Sequence, residues 1–284
     1  MKINELTNEF MKNYADKRLR PTTLRGYRTN INKHIIPYLG QKNINELLPD
    51  DLDDLTETLQ EKGLKNKTIV YVHATLRKAY NYAIKRGYIS GNPYSRYDLP
   101  RVNTFRYMIL PEDQMIRMLD EADGLDDIDL AIRLALRYGL RRGEILGIRP
   151  ETDLDYLNNT LHIQRTRTVE NGQEVVTPCK TKNSDRYILL FDQDVAHLAS
   201  RSGYAVPLTP PQLDFRFRQF LGQRQFPAMR FHDLRHTYAT FMLSKGVNPK
   251  IVSAVLGHSG IAITLNIYSH PDVSMQKSCL DVFP

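Results

Sequence analysis

The chain has 284 residues, 41% hydrophobic and 25% charged, which fits one or two ordinary globular domains and argues against extended disorder. No apolar run reaches the ~18 residues of a membrane span, the N-terminal MKINELTNEF has no apolar core for a secretory signal, and Cys179 and Cys279 can build neither a disulfide framework nor a metal site of ordinary spacing. The reading is a reducing, cytoplasmic protein whose net charge of +7 suits a polyanionic partner, with the excess at the N-terminal end: residues 1–100 carry 17 Lys and Arg against 11 Asp and Glu, the remainder 22 against 21.

In chain order, residues 1–96 read as a small helical bundle with basic flanks. From Pro21 a helix carries apolar Leu24, Tyr27, Ile31 and Ile35, with Arg25, Arg28 and Lys33 elsewhere on its surface, and Pro37 and Gly40 are its expected stop. Asp50 to Gln60 is a shorter helix with an acidic start, and Ile69, Val72, Leu76, Tyr80 and Ala83 mark a longer one that ends at Gly87. Residues 97–109 have the proline-containing, aperiodic composition of a linker. A second domain, 110–284, is mostly α with a small antiparallel sheet. Asp129 to Tyr138 is apolar on nearly all sides, as in a buried helix. Leu161 to Thr177 holds β-branched residues around Asn171-Gly172, a hairpin signal, and Tyr187 to Phe191 is a further β-like run. Helices return with Phe231 to Lys245, and then with one that opens on Asn248-Pro249 and closes at Gly257.

Four segments can carry chemistry. Gly139-Leu140-Arg141-Arg142-Gly143-Glu144 places arginines just past the buried helix; alone, a helix-end cation is the plainer reading. Lys180-Thr181-Lys182 lies between strands, where lysines are usually solvated. His232-Asp233-Leu234-Arg235-His236 puts two imidazoles and a guanidinium at spacings of three and four, on one helical face; one exposed polar face is the competing explanation. Leu256-Gly257-His258-Ser259 is followed by Tyr268, one of 16 tyrosines, most of which must be structural. Taken together, the segments describe phosphoryl transfer without a metal. Guanidiniums neutralise non-bridging oxygens, imidazoles exchange hydrogen bonds, a lysine protonates a leaving alkoxide, and a phenol aided by cations is the nucleophile. No GxxxxGK[ST] loop is present, so no nucleotide energy source is implied.

This arrangement resembles the tyrosine recombinases, the family of phage integrases, conjugative-transposon integrases and chromosome-dimer resolving recombinases. Arg141 and Glu144 match the first arginine box and its supporting acid. His232 and Arg235 match the His-x-x-Arg box, His258 the third box, and Tyr268 the nucleophile. The family's lysine is assigned to Lys180, upstream of Arg186-Tyr187-Ile188-Leu189-Leu190, with Lys182 as its competitor. Residues 1–96 are similar to the helical core-binding domain, with Ile36-Pro37-Tyr38-Leu39-Gly40 and Gly91-Asn92-Pro93 in the expected places. Three departures stand out. Ile148-Arg149-Pro150 replaces a frequent tryptophan, Leu189 replaces a frequent proline, and no arm-binding N-terminal domain is found, as in a short recombinase or a truncated chain.

The resemblance implies a two-domain clamp on duplex DNA and a site-specific recombinase that cuts and rejoins strands through a 3′-phosphotyrosine, with type IB topoisomerase-like chemistry and no cofactor. It further implies a homotetramer on two attachment sites, an accessory bending or excision factor, and a bacterial, nucleoid-associated location. Expected DNA contacts are Arg25, Arg28, Lys33, Lys67, Arg77, Arg101 and Arg106, although sequence cannot separate phosphate from base contacts. Two other classes compete: a non-catalytic DNA-binding regulator of the same fold, and a zinc metallohydrolase using His232 and His236, four residues apart. Against the second, Arg235 lies between the two imidazoles and the following acid is Asp233 rather than Glu.

Overall fold

The computed structural model describes residues 1–19, 21–102, 107–170, 172–179 and 182–267. The chain separates into two units, Met1–Phe105 and Arg106–Pro284, each built around its own apolar cluster.

In the first unit, α1 (Ile3–Phe10) buries Ile3, Leu6 and Phe10, spaced as one helical face, and continues through a π-helical turn, Met11–Ala15, into α2 (Asp16–Arg18). The next helix starts at Pro21 as the sequence indicates: α3 (Pro21–Asn30) runs through a second π turn, Ile31–Ile35, into α4 (Ile36–Leu39). The expected stop at Pro37 is therefore incorrect. Proline removes one N–H and its ring crowds the carbonyl four residues back. Here the Ile36 N–H reaches five residues back to the Ile31 carbonyl, which leaves Pro37 in the opening turn of α4, where no N–H is needed. Gly40 does end the helix. α5 (Pro49–Glu61) and α6 (Asn66–Lys85) complete the bundle. Ile69, Val72, Leu76, Tyr80 and Ala83 are all fully buried on α6. His73 lies among them, within hydrogen-bond distance of Thr56 Oγ1 (2.8 Å) and Tyr94 Oη (3.0 Å), so this buried imidazole is satisfied on both nitrogens.

The second unit opens with α7 (Glu112–Glu121) and the buried α8 (Asp127–Tyr138), on which Leu130, Ala131, Ile132, Leu134, Ala135 and Leu136 are wholly inaccessible. Gly139 closes α8 in the left-handed region (φ 63°), and α9 (Arg142–Gly147) and α10 (Pro150–Asp153) follow. β1 (Leu154–Asp155), β2 (Thr160–Ile163) and β5 (Arg186–Leu189) form an antiparallel sheet in the order β1-β2-β5. The hairpin indicated by Asn171-Gly172 is β3 (Arg165–Glu170) paired with β4 (Gln173–Pro178), Glu170 opposite Gln173. Its backbone lies close over α9: a Cβ added at Gly147 would stand 3.2 Å from the Arg165 carbonyl oxygen. α11 (Asp192–Ala199), α12 (Pro210–Gln223), α13 (Phe231–Ser244), α14 (Pro249–Leu256) and α15 (Ile261–Ile267) complete the unit. Asn248 caps α14 through its side chain and Gly257 ends it with φ 65°. No helix among the described residues is long and apolar enough to cross a membrane.

Candidate active site

The site forms where the C-terminal ends of α8 and α14 meet the first turns of α9 and α13. Helix C-termini present unpaired carbonyls and a partial negative charge, which suits guanidinium groups. Arg235, on the first turn of α13 and 3% exposed, donates through Nη1 to the Gly139 carbonyl (2.6 Å) and through Nη2 to the Leu256 carbonyl (2.8 Å). Arg141, at the N-cap of α9, donates through Nη2 to the next carbonyl of α14, that of Gly257 (2.9 Å). Two left-handed glycines thus place the acceptors that fix both guanidiniums. Burial, and after it the Arg141 guanidinium, push Arg235 down to about 9, so it remains charged at neutral pH.

Glu144 lies beneath Arg141, 2% exposed. Its Oε2 accepts from the Arg141 backbone N–H (3.0 Å) and its Oε1 from Arg141 Nη1 (2.6 Å). Burial works to raise its pKa, but the guanidiniums of Arg186 and Arg141 outweigh it and hold the carboxyl below its ordinary range. Arg186 was not among the residues singled out by sequence. It is buried at the start of β5 and donates to both Glu144 oxygens (Nη1 to Oε1 3.2 Å, Nη2 to Oε2 3.0 Å), to the Ser184 carbonyl (3.1 Å) and to the Val255 carbonyl of α14. A signal for it did exist: strand alternation puts Arg186 on the same buried face as Ile188, and an arginine there requires a buried acid.

His258 follows Gly257 and is buried, with Nδ1 2.8 Å from Thr264 Oγ1, itself fully buried. Burial, then the charges of Arg235 and Arg141, push it down to about 4. His232 sits at the surface of the first turn of α13, where the desolvation of its ring, then Arg235 and Arg141, lower its pKa. The competing explanation of the His232-to-His236 segment, one exposed polar face, fails because Arg235 and His236 are buried. His236 packs edge-to-face on His232 (centroids 5.0 Å) and lies against the Tyr107 ring (3.9 Å). Among the described residues no group of three or more His, Cys, Asp or Glu could hold a metal ion. The positive charge that Arg235 and Arg141 impose on His232 also opposes a cation there.

Beside Arg141 and His232 lies a cavity of about 580 Å³, rimmed by Arg142, Arg218 and Arg230. Lys180, Tyr268 and Arg106 lie outside the described residues, as does Cys279; for Lys182 only the backbone is described, in a 3-10 turn, Lys182–Ser184. In the first unit Arg25, Arg28, Lys33, Lys67, Arg77 and Arg101 are exposed, Arg28 paired with Asp16 at 2.9 Å.

Residues 109–275 match the Phage integrase family and residues 2–60 its N-terminal SAM-like domain. A tyrosine recombinase XerC-like protein of Caldanaerobacter subterraneus is 29% identical over 75% of this chain, which spans 64% of that relative. The ICEBs1 integrase of Bacillus subtilis is 24% identical, over 92% of this chain and 77% of its own length. Among solved structures, the Tn1549 transposon integrase in complex with transposon right end DNA superposes with TM-score 0.84 at 21% identity, covering 100% of this chain and 99% of that one. A lambda integrase tetramer bound to a Holliday junction gives 0.66 at 18%, covering 92% and 78%.

Proposed function

The chain belongs to the phage integrase family, and from that premise we propose that it is a site-specific DNA recombinase that cuts and rejoins duplex DNA through a covalent bond to Tyr268. Arg141 and Arg235 hold the non-bridging oxygens of the scissile phosphate, and His232 and His258 complete the cradle. The Tyr268 oxygen bonds to phosphorus as the bond to the 5′ oxygen breaks, leaving a 3′-phosphotyrosine. The departing 5′ oxygen takes a proton from Lys180, and the phenolic proton passes to His258, whose lowered pKa keeps the ring neutral at pH ~7. Attack by a partner strand's 5′ hydroxyl reverses the step and conserves the bond energy. Exposed cations of the first unit, Arg25, Arg28, Lys33, Lys67, Arg77 and Arg101, together with Arg106, grip the duplex. Four copies act on two sites, as the lambda integrase tetramer on a Holliday junction suggests, and an accessory bending factor sets direction in the cell's cytoplasm and nucleoid.

The observation that carries this reading is the pair of guanidiniums, Arg141 and Arg235, pinned by successive carbonyls of one helix end with two imidazoles beside them. Such preorganised donors stabilise developing phosphate charge without reorganisation at the moment of reaction. The test uses duplexes from the DNA flanking the gene, nicked so that the cleaved fragment diffuses away. An SDS-stable protein–DNA band, unchanged by chelator, is the expected result. Binding on a native gel with no covalent band would instead favour the regulator, and a chelator-sensitive activity alone would favour the metallohydrolase.

A further inference from the structure

We infer that Arg186 is a positioning residue for strand cleavage: through Glu144 it sets both the placement and the free charge of the Arg141 guanidinium. The inference rests on the recombinase reading and adds a residue that reading does not need.

Glu144 stands between two guanidiniums, Arg141 on one side and Arg186 on the other, and both of its oxygens serve both partners. A carboxylate held by Arg141 alone would neutralise the charge that has to face the phosphate. Shared with Arg186, it supports Arg141 and still leaves that guanidinium its second nitrogen for the Gly257 carbonyl. Arg186 is itself fixed from two further directions, by the carbonyl of Ser184, the last residue of the Lys182–Ser184 turn, and by the Val255 carbonyl at the end of α14. Gly257 tightens the arrangement: a Cβ there would stand 2.9 Å from Arg186 Nη1. Arg186 is thus a buried strut between β5, α9 and the α14 end. With a side chain 8% exposed it has no open path to DNA, so its effect must pass through Arg141. Bidentate geometry is essential to this role, and lysine, a point charge, cannot hold both oxygens in the same way.

The test is a double-variant cycle on the full chain, read as the rate of covalent adduct formation on a nicked duplex, with DNA affinity and the thermal transition followed in parallel. Arg186→Gln is expected to cleave roughly 10²-fold slower, the loss that a misplacement of about 1 Å produces, with DNA affinity unchanged. In an Arg141→Ala background the same substitution should cost less than about threefold, since the group it positions is gone. A duplex with a methylphosphonate at the scissile position, which carries one charge fewer, should also shrink the Arg186→Gln defect. If Arg186→Gln does not fold, Arg186→Lys takes its place in the cycle, with a smaller loss that again disappears beside Arg141→Ala. Losses that multiply, or an Arg186 variant that cleaves like the parent, overturn the inference. Absence of any adduct from the parent chain overturns the recombinase reading and, with it, this one.

Discussion

Replacing Glu144 with Gln probes the buried charge on which the site depends. Glu144 is 2% exposed and accepts from the Arg141 N–H and Nη1 and from Arg186 Nη1 and Nη2, at 3.0, 2.6, 3.2 and 3.0 Å. The amide preserves the volume and one acceptor, turns the other oxygen into a donor that faces a guanidinium, and leaves the buried Arg186 and the half-buried Arg141 without their shared carboxylate. Removing one partner of a buried ion pair costs about 3–5 kcal/mol. In a unit of this size each kcal/mol lowers the melting temperature by about 2–4 °C, so the second unit's transition should fall by roughly 6–20 °C. The Arg28–Asp16 pair, with side chains 61% and 40% exposed, provides the control. Solvent screening limits Asp16→Asn to less than about 1 kcal/mol. Differential scanning calorimetry at neutral pH and low salt measures both. A shift below about 2 °C for Glu144→Gln, or one no larger than that of Asp16→Asn, would refute the electrostatic argument.

Three further outcomes are expected. Burial pushes His73, His236 and His258 down to about 4, below the ordinary 6.5, so the unfolded chain binds more protons in that interval. Stability is then complete above pH ~6.5 and is lost as pH falls toward ~4; a melting temperature flat across that window would contradict the burial of these rings. Lys180→Ala should abolish cleavage of an ordinary duplex yet cleave one whose bridging 5′ oxygen is sulfur, because a thiolate leaves without protonation; rescue of Lys182→Ala instead would move the acid to Lys182. Neutralising Arg25, Lys67 and Arg77 together should lower the salt slope of DNA binding by about 0.9 for each phosphate that no longer meets a cation, and an unchanged slope would remove them from the interface.

Much of the fold was legible because its signals are local. The spacing of Ile69, Val72, Leu76, Tyr80 and Ala83 needs one helix to explain it, and all five are buried on α6. Asn171-Gly172 between β-branched runs gives the β3–β4 hairpin. Pro37 misled because a π turn, set by one backbone bond from Ile36 to Ile31, lets the helix pass it. Within the site, the Arg141 and Arg235 boxes could be read, but their anchoring could not. Arg141 meets Gly257 across 116 residues, Arg235 meets Gly139 across 96, and Arg186 meets Val255 across 69. Those partners are backbone carbonyls, which every residue possesses and no sequence pattern marks. The helix ends become a guanidinium hub only once α8, α13 and α14 have packed.

On the recombinase reading, this chain becomes covalently joined to DNA through one tyrosine oxygen. The most direct measurement is to trap the adduct on a nicked duplex, digest protein and DNA, and locate the nucleotide-bearing peptide by mass spectrometry. A single modified peptide is expected, with a 3′-linked nucleotide on Tyr268, and no adduct from Tyr268→Phe. A nucleotide on any other residue, a 5′ linkage, or an undiminished adduct from Tyr268→Phe would contradict it.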